Sequence, residues 1–378
     1  MLQDQIPSQP SAPCKRFAVQ SDQLKSVARM ISLPNRSSEM IVITLSTTEL
    51  RLCESTKNDS LSVAMTIIPV RPLNLIEGET ISFEIPKQLL SSLGHHYDCE
   101  LRFELDQDHD TLAWRGLGRL FHMAAHARCV ATRNCTEERN HLATLDARVL
   151  RDAIGHAAIL IDKRTANTQG FDGLEVSGGS AKSGYLGGIT LYKSDALPDA
   201  LRFVLPKRNA PNALTAIGKM QGPIDISETE SAVFIKSGDK ELTWRKAGLC
   251  PSLDRILSAA TVATFNVMVA EALSNVLIAR IGSDRGRMVL SNLDQNPALS
   301  LLSIAPTARY ELAFEGKLLE CNLGSEAKLG FNINLADLQR LLDSIRTPTA
   351  DISISKHGLI LKSAGTDYDE MSALAALD

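Results

Sequence analysis

Apolar residues return every three or four positions in six stretches of the chain, and each stretch predicts an amphipathic helix. The predicted starts lie near Asp22, Pro86, Thr144, Lys207, Asn266 and Asn334. Neighbouring starts are about 60 residues apart and alternate starts about 120, a period that signals internal duplication. Leu24, Val27, Ala28 and Ile31 form the first stripe, with Lys25 and Arg29 off it. The second helix, Lys87 to His95, opens after Pro86, which suits a first turn because no amide donor is needed there. Leu150, Ala153, Ile154, Ala157 and Ile161 make the third stripe, and Arg148, Arg151 and His156 fall outside it. Ala210, Ala213, Leu214 and Ile217 make the fourth, and Val269, Leu273, Val276 and Leu277 the fifth. The sixth holds Leu335, Leu338, Leu342 and Ile345 behind Asn334, a good cap, with Asp337 three residues on.

Between these stripes the chain is rich in β-branched residues and alternates with period two. Predicted strands include Gly173 to Ser177, Tyr185 to Tyr192 and Leu201 to Leu205. Others are Ala232 to Lys236, Glu241 to Arg245, Asp351 to Ser355 and Gly358 to Lys362. The pattern predicts an α+β chain of one repeated helix-plus-strands unit. Boundaries near Cys129 to His141 and Gly248 to Ala263 divide it into a tail, 1–14, and three similar domains, 15–135, 136–258 and 259–378.

Composition narrows the function classes. The chain has 378 residues with a formal net charge of -4, so a basic surface must be local to exist at all. No apolar run approaches the ~20 residues that span a bilayer, and Met1 to Pro13 is a Pro-, Ser- and Gln-rich tail, unlike a signal peptide. Seven cysteines at irregular spacing, with no C-x-x-C, predict free thiols in a reducing compartment, the cytoplasm. No catalytic cluster is apparent, and the expectation is a framework protein without cofactor, metal or bond chemistry.

Weaker chemical signals have plainer readings. Gly178 to Gly184 lacks the Gly-Lys-[Ser/Thr] of a phosphate loop and predicts a hairpin loop. His122, His126 and Cys129, with Cys135 nearby, could hold zinc on a helix, but the run equally predicts a strand exit. Asp106, Asp108 and Asp110 lack the Gly and Glu of a calcium loop.

Four segments then stand out together by order and spacing. They are Lys15-Arg16-Phe17-Ala18-Val19, Phe203-Val204-Leu205-Pro206-Lys207, Gly248-Leu249-Cys250-Pro251 with Asp254 to Leu257, and Gly330-Phe331-Asn332 leading to Leu335. In these the chain resembles the bacterial sliding clamp, the DNA polymerase III β subunit. The resemblance implies three clamp-type domains per chain, each with two inner helices packed on outer antiparallel sheets. It implies a head-to-tail homodimeric ring around double-stranded DNA, which tethers a DNA polymerase and meets a clamp loader through a short peptide motif. The basic residues off the helical stripes would then line the channel. They are Lys25, Arg29, Lys87, Arg148, Arg151, Lys207, Arg208, Lys219, Arg280, Arg340 and Arg346. Such contacts would hold phosphates without reading sequence.

The chain departs from the family where partners dock. The family's Thr-Asp-Gly-His-Arg-Leu compares with Ser177 to Lys182, and its Met-Pro ending with Met371-Ser372-Ala373-Leu374. The expected partner-peptide pocket is Ser177, Gly178, Gly179, Pro251, Met371 and Leu374, altered on both walls. A divergent clamp or a paralogue with other partners accounts for this. Edge strands for ring closure are expected at Leu61 to Ile68 or Leu73 to Glu77, and at Met288 to Leu302. The alternative expectation is a regulatory or interaction protein on the clamp fold that does not encircle DNA.

Overall fold

The computed structural model describes residues 15–31, 37–56, 61–67, 71–72, 80–93, 100–106, 111–116, 119–124, 138–161, 173–246, 260–293, 296–303, 310–324 and 327–377. Six α-helices occur among them. They are α1 (Ser21–Ile31), α2 (Lys87–Leu93), α3 (Ala147–Ala157), α4 (Ala210–Gly218), α5 (Val269–Ala279) and α6 (Leu335–Ser344). Antiparallel strands make up the rest, so the chain is α+β as the alternation of periods predicts. It divides into two compact units, one of residues 1–141 and 215–245, the other of 142–214 and 246–378.

In the first unit, α1 packs on α2 and buries Leu24, Val27 and Ile31, three of the predicted stripe residues. A five-stranded sheet runs in the order 71–72, 15–20, 100–106, 111–116, 119–124. Phe17 stacks on Phe103 within it, with ring centroids 4.9 Å apart. In a second sheet, strands 223–228, 232–237, 240–245, 61–67, 50–56, 37–45 and 81–86 lie side by side. Trp244, fully buried, sits opposite Leu61 in this register. Leu61–Ile67 is therefore paired on both sides, to 240–245 and to 50–56, and offers no free edge. That corrects the expected interface strand. Its alternative, Leu73 to Glu77, lies outside the described residues. The edges of the five-stranded sheet, among the described residues, are 71–72 and Arg119–Ala124, and the latter strand contains His122. The helical metal reading does not apply to His122, and His126, Cys129 and Cys135 lie outside the described residues.

The second unit is built on nine strands in the order 202–206, 173–177, 180–185, 188–194, 368–375, 358–364, 349–355, 261–268, 316–321. The pairing of Gly188–Ser194 with Tyr368–Ala375 fuses a strand pair of the middle block to the end of the chain. Gly178 and Gly179, at φ 54° and 69°, make the two-residue turn of a hairpin, as positive φ at both positions demands. One predicted strand, Tyr185 to Tyr192, is instead a second tight turn flanked by strands 180–185 and 188–194. A four-stranded sheet, in the order 311–313, 296–303, 285–293, 328–334, packs with α5 and α6. Met288 lies on an interior strand of it, and Ser300 to Leu302 are covered by Glu311–Ala313, so among the described residues the edges are 311–313 and 328–334 rather than Met288 to Leu302.

Local signals set most helix ends. Asn334 caps α6 by accepting from the Asp337 amide at 3.1 Å, as its position predicts. The cap of α3 is Asp146, which accepts from Arg148 N at 2.8 Å, not Thr144. Asn266 belongs to the strand before α5 and donates to Asp351 at 2.7 Å. Leu277, predicted for the core, is 47% exposed.

At Gly358 a Cβ would fall 2.0 Å from Leu374 O, and its φ is +145°. Gly358→Ala should destabilise the protein by about 2 kcal/mol or more, a strain-class effect, read as a lowered Tm. Gly238→Asn, at φ +55° with open space around it, should stay within about 0.5 kcal/mol.

Candidate nucleic-acid interface and partner groove

The eleven basic residues separate by what already holds them. In the first unit, Lys25 and Arg29 are exposed on α1, and neither enters a salt bridge among the described residues. Lys87 opens α2 and holds the fully buried Glu54 at 2.6 Å. Lys219 donates to Arg29 O at 2.9 Å, and burial depresses its pKa, with Lys87 and Lys240 acting in the same direction.

In the second unit, Arg208 is exposed and free of salt bridges among the described residues. Its neighbour Lys207 is not available at all. Lys207 is 1% exposed and its ammonium donates to Gly184 O, so it ties the entry of α4 to the sheet. This removes Lys207 from the predicted channel set, because a buried, bonded ammonium cannot reach a phosphate. Arg148 is exposed but folds back on Asp146 at 3.1 Å, and Arg151 lies 3.5 Å from Asp152. Arg280 is bound to Asp284 at 2.8 Å and to Gln339. Arg340 is 3.5 Å from Asp337, which also takes the Tyr185 hydroxyl. Arg346 reaches Asp152 at 3.1 Å, and that hydrogen bond raises its pKa. Sequence periodicity finds which bases leave the core; Arg148, Arg151, Arg280 and Arg340 then meet carboxylates within four residues, whereas Lys87 and Arg346 meet Glu54 and Asp152 from other elements.

The predicted peptide pocket is also redistributed. Ser177 and Met371 share one sheet face, but the strands 180–185 and 188–194 run between theirs. Gly178 and Gly179 sit at the hairpin tip beyond Ser177. Leu374 faces the opposite side and is 2% exposed, packed where a Cβ on Gly188 would lie 3.0 Å from it. Leu374 is a core residue, not a pocket wall. Pro251 lies outside the described residues. Of the six, Met371 alone lines an open groove, of about 310 Å³. The turn that abuts the C-terminal strand is Tyr185 to Gly188, since Gly188 pairs with Leu374 and Ala375 N donates to Gly187 O at 3.1 Å. Its tip, Leu186, is 78% exposed. The Gly187-Gly188 pair was the sequence signal for this turn.

His156, predicted to lie on the polar face of α3, is buried instead. Its Nδ1 is 3.3 Å from Glu370 Oε1, and Ser363 donates to the other carboxylate oxygen at 3.1 Å. Among the described residues no group of three or more His, Cys, Asp or Glu could hold a metal ion. No helix there is long and apolar enough to cross a membrane.

This arrangement of sheets and helices has counterparts among solved structures. The DNA polymerase III β chain of Streptococcus pneumoniae matches at TM-score 0.77 and 13% identity, covering 96% of this chain and all of that one. The sliding clamp of Bacillus subtilis matches at 0.77 and 14%, over 97% and 100%. That of Pseudomonas aeruginosa matches at 0.72 and 15%, over 96% and 99%. The chain has the sliding-clamp fold. No family model matches it, and no curated protein does. At such identities the clamp fold is preserved by burial pattern and strand register while local motifs drift.

The clamp fold's α3 cap carries a pH signature. The Arg148 hydrogen bonds hold the exposed Asp146 carboxyl below the ordinary aspartate pKa. A depressed folded-state pKa contributes stability above the unfolded value, and loses it as pH falls through the folded one. Carboxyl NMR titration should therefore give Asp146 a midpoint below that of a free aspartate, and Arg148→Gln should move it up.

Proposed function

We propose that the protein is a DNA sliding clamp, a processivity factor with no bond chemistry of its own. Its three sequence blocks, 15–135, 136–258 and 259–378, act as clamp domains, and two chains close head to tail around double-stranded DNA in the cytoplasm. A DNA polymerase or another DNA enzyme is tethered through a short peptide, and a clamp loader engages the same kind of site. Tethering works by effective concentration, since a held enzyme rebinds before it diffuses away. The observation that carries this reading is the clamp fold across 96% of the chain, with the matched clamp covered end to end.

Two features of the surface support it. Lys25, Arg29 and Arg208 are exposed cations free of salt bridges among the described residues, suited to loose phosphate contact. Few strong contacts are needed, because an enclosed duplex is retained by topology. Near the free edge at Glu311–Ala313, Asn275 of α5 donates to Ala313 O at 2.9 Å. The same helix end exposes Leu277 at 47% and Ile281 at 62%, apolar area that a second copy would cover in a head-to-tail contact.

A second reading, a clamp-fold regulatory protein that does not enclose DNA, is favoured by one observation. Lys207 is buried, and Lys87, Arg280, Arg340 and Arg346 are held by carboxylates, which leaves a thin positive lining.

Light scattering at micromolar and nanomolar concentration should give twice the chain's mass at both, since a closed ring resists dilution. A persistent monomer would favour the regulatory reading. Reversing Lys25, Arg29 and Arg208 to Glu together should leave that mass unchanged. Retention on nicked circular DNA should fall about tenfold or more and depend less on salt. Unchanged retention would remove these residues from the DNA path.

A further inference from the structure

Three lysines of the first unit meet at the end of α4. Lys219, just past the helix, donates to Arg29 O in the last turn of α1 at 2.9 Å. Lys240 donates to Lys219 O at 2.6 Å and so ties its own strand to the same helix end. Lys87 opens α2 and holds Glu54, whose side chain is fully buried, at 2.6 Å. Lys219 and Lys240 are half-buried, and so is Lys87.

The charges around Lys219 set its chemistry. Burial depresses its pKa, Glu54 opposes that shift, and Lys87 and Lys240 add to it. Burial depresses the pKa of Lys240 as well. Glu54, the carboxylate that acts on Lys219, is already held by the Lys87 ammonium. Two cations stand beside Lys219 against that one carboxylate, so a ligand carrying phosphate meets net attraction.

The bond to Arg29 O does not require an ammonium. A neutral amine keeps an N–H for the carbonyl and presents a lone pair. A lysine desolvated beside other cations is an activated nucleophile towards carbonyl carbon. The same cations stabilise negative charge that develops on a departing phosphate.

We propose that Lys219 is an acylation site whose acyl donor is a small acyl phosphate. Lys87 and Lys240 hold the phosphate oxygens, and the Lys219 nitrogen attacks the acyl carbon. The bond from that carbon to the bridging oxygen breaks, and its electron pair leaves on phosphate. The proton of the attacking nitrogen passes to the phosphate. The products are an amide and inorganic phosphate, and the charge of Lys219 is lost. This chemistry stands on the lysine cluster and does not depend on the clamp reading.

The test treats the full chain with isotope-labelled acetyl phosphate at neutral pH and follows each lysine by peptide mass spectrometry. Lys25, exposed on α1 of the same unit, is the internal reference. Lys219 should acylate at least about threefold faster than Lys25. Acetic anhydride, which carries no phosphate, separates amine reactivity from phosphate recruitment. Lys240→Gln should slow Lys219 with both reagents, and by about threefold more with acetyl phosphate. Lys240→Arg, which keeps the cation, should restore the rate, and Lys25 should react alike in all three proteins. Lys219 no faster than Lys25 with acetyl phosphate overturns the proposal. So does an advantage confined to the anhydride, or an equal effect of Lys240→Gln on both reagents.

Discussion

The antiparallel pairing of Gly188–Ser194 with Tyr368–Ala375 is the constraint on which the second unit depends. It joins residues about 180 positions apart into one nine-stranded sheet. Without it, α3 and α6 would have no common surface to pack on. With it, one face receives both helices and buries Leu374, Glu370 and His156, while the other presents Leu191, Met371, Lys193 and Lys362. A one-residue slip would exchange these faces, placing Glu370 in solvent and Met371 in the core.

The polar groups on the helix side show how such a sheet holds its register. Glu370 is 4% exposed, yet it is met by His156 and by Ser363, and a buried carboxylate persists only when it is so held. Lys207 follows the same rule at the entry of α4, where its ammonium meets the Gly184 carbonyl. Lys207 reads as a surface residue in sequence, because helical periodicity says nothing about groups arriving from distant strands. Its burial converts an apparent surface charge into an internal tie.

The cations left at the surface follow from this division of labour. Lys25, Arg29 and Arg208 are exposed and enter no salt bridge among the described residues. Under the proposed clamp function, weak, salt-sensitive contacts of this kind would let the protein hold DNA and still move along it.

The sequence by itself determined the repeat of six amphipathic helices, the α+β class, the Asn334 cap and the Gly178-Gly179 hairpin turn. These rest on local periodicity, capping and backbone sterics, which a few neighbouring residues settle. The order and spacing of the motifs at Phe17, Phe203 and Phe331 pointed to the clamp architecture that the fold then displays. Only the tertiary structure decided which bases stay free, that Leu374 is core and Met371 open, and that Leu61–Ile67 is an interior strand. The burial of Leu374 and the pairing of Leu61–Ile67 turn on partners from far along the chain, as do the ion pairs of Lys87 and Arg346, while Arg148, Arg151, Arg280 and Arg340 meet carboxylates close in sequence. A strand's hydrophobic alternation gives its two faces, but not which face the helices cover or which of its edges is already paired.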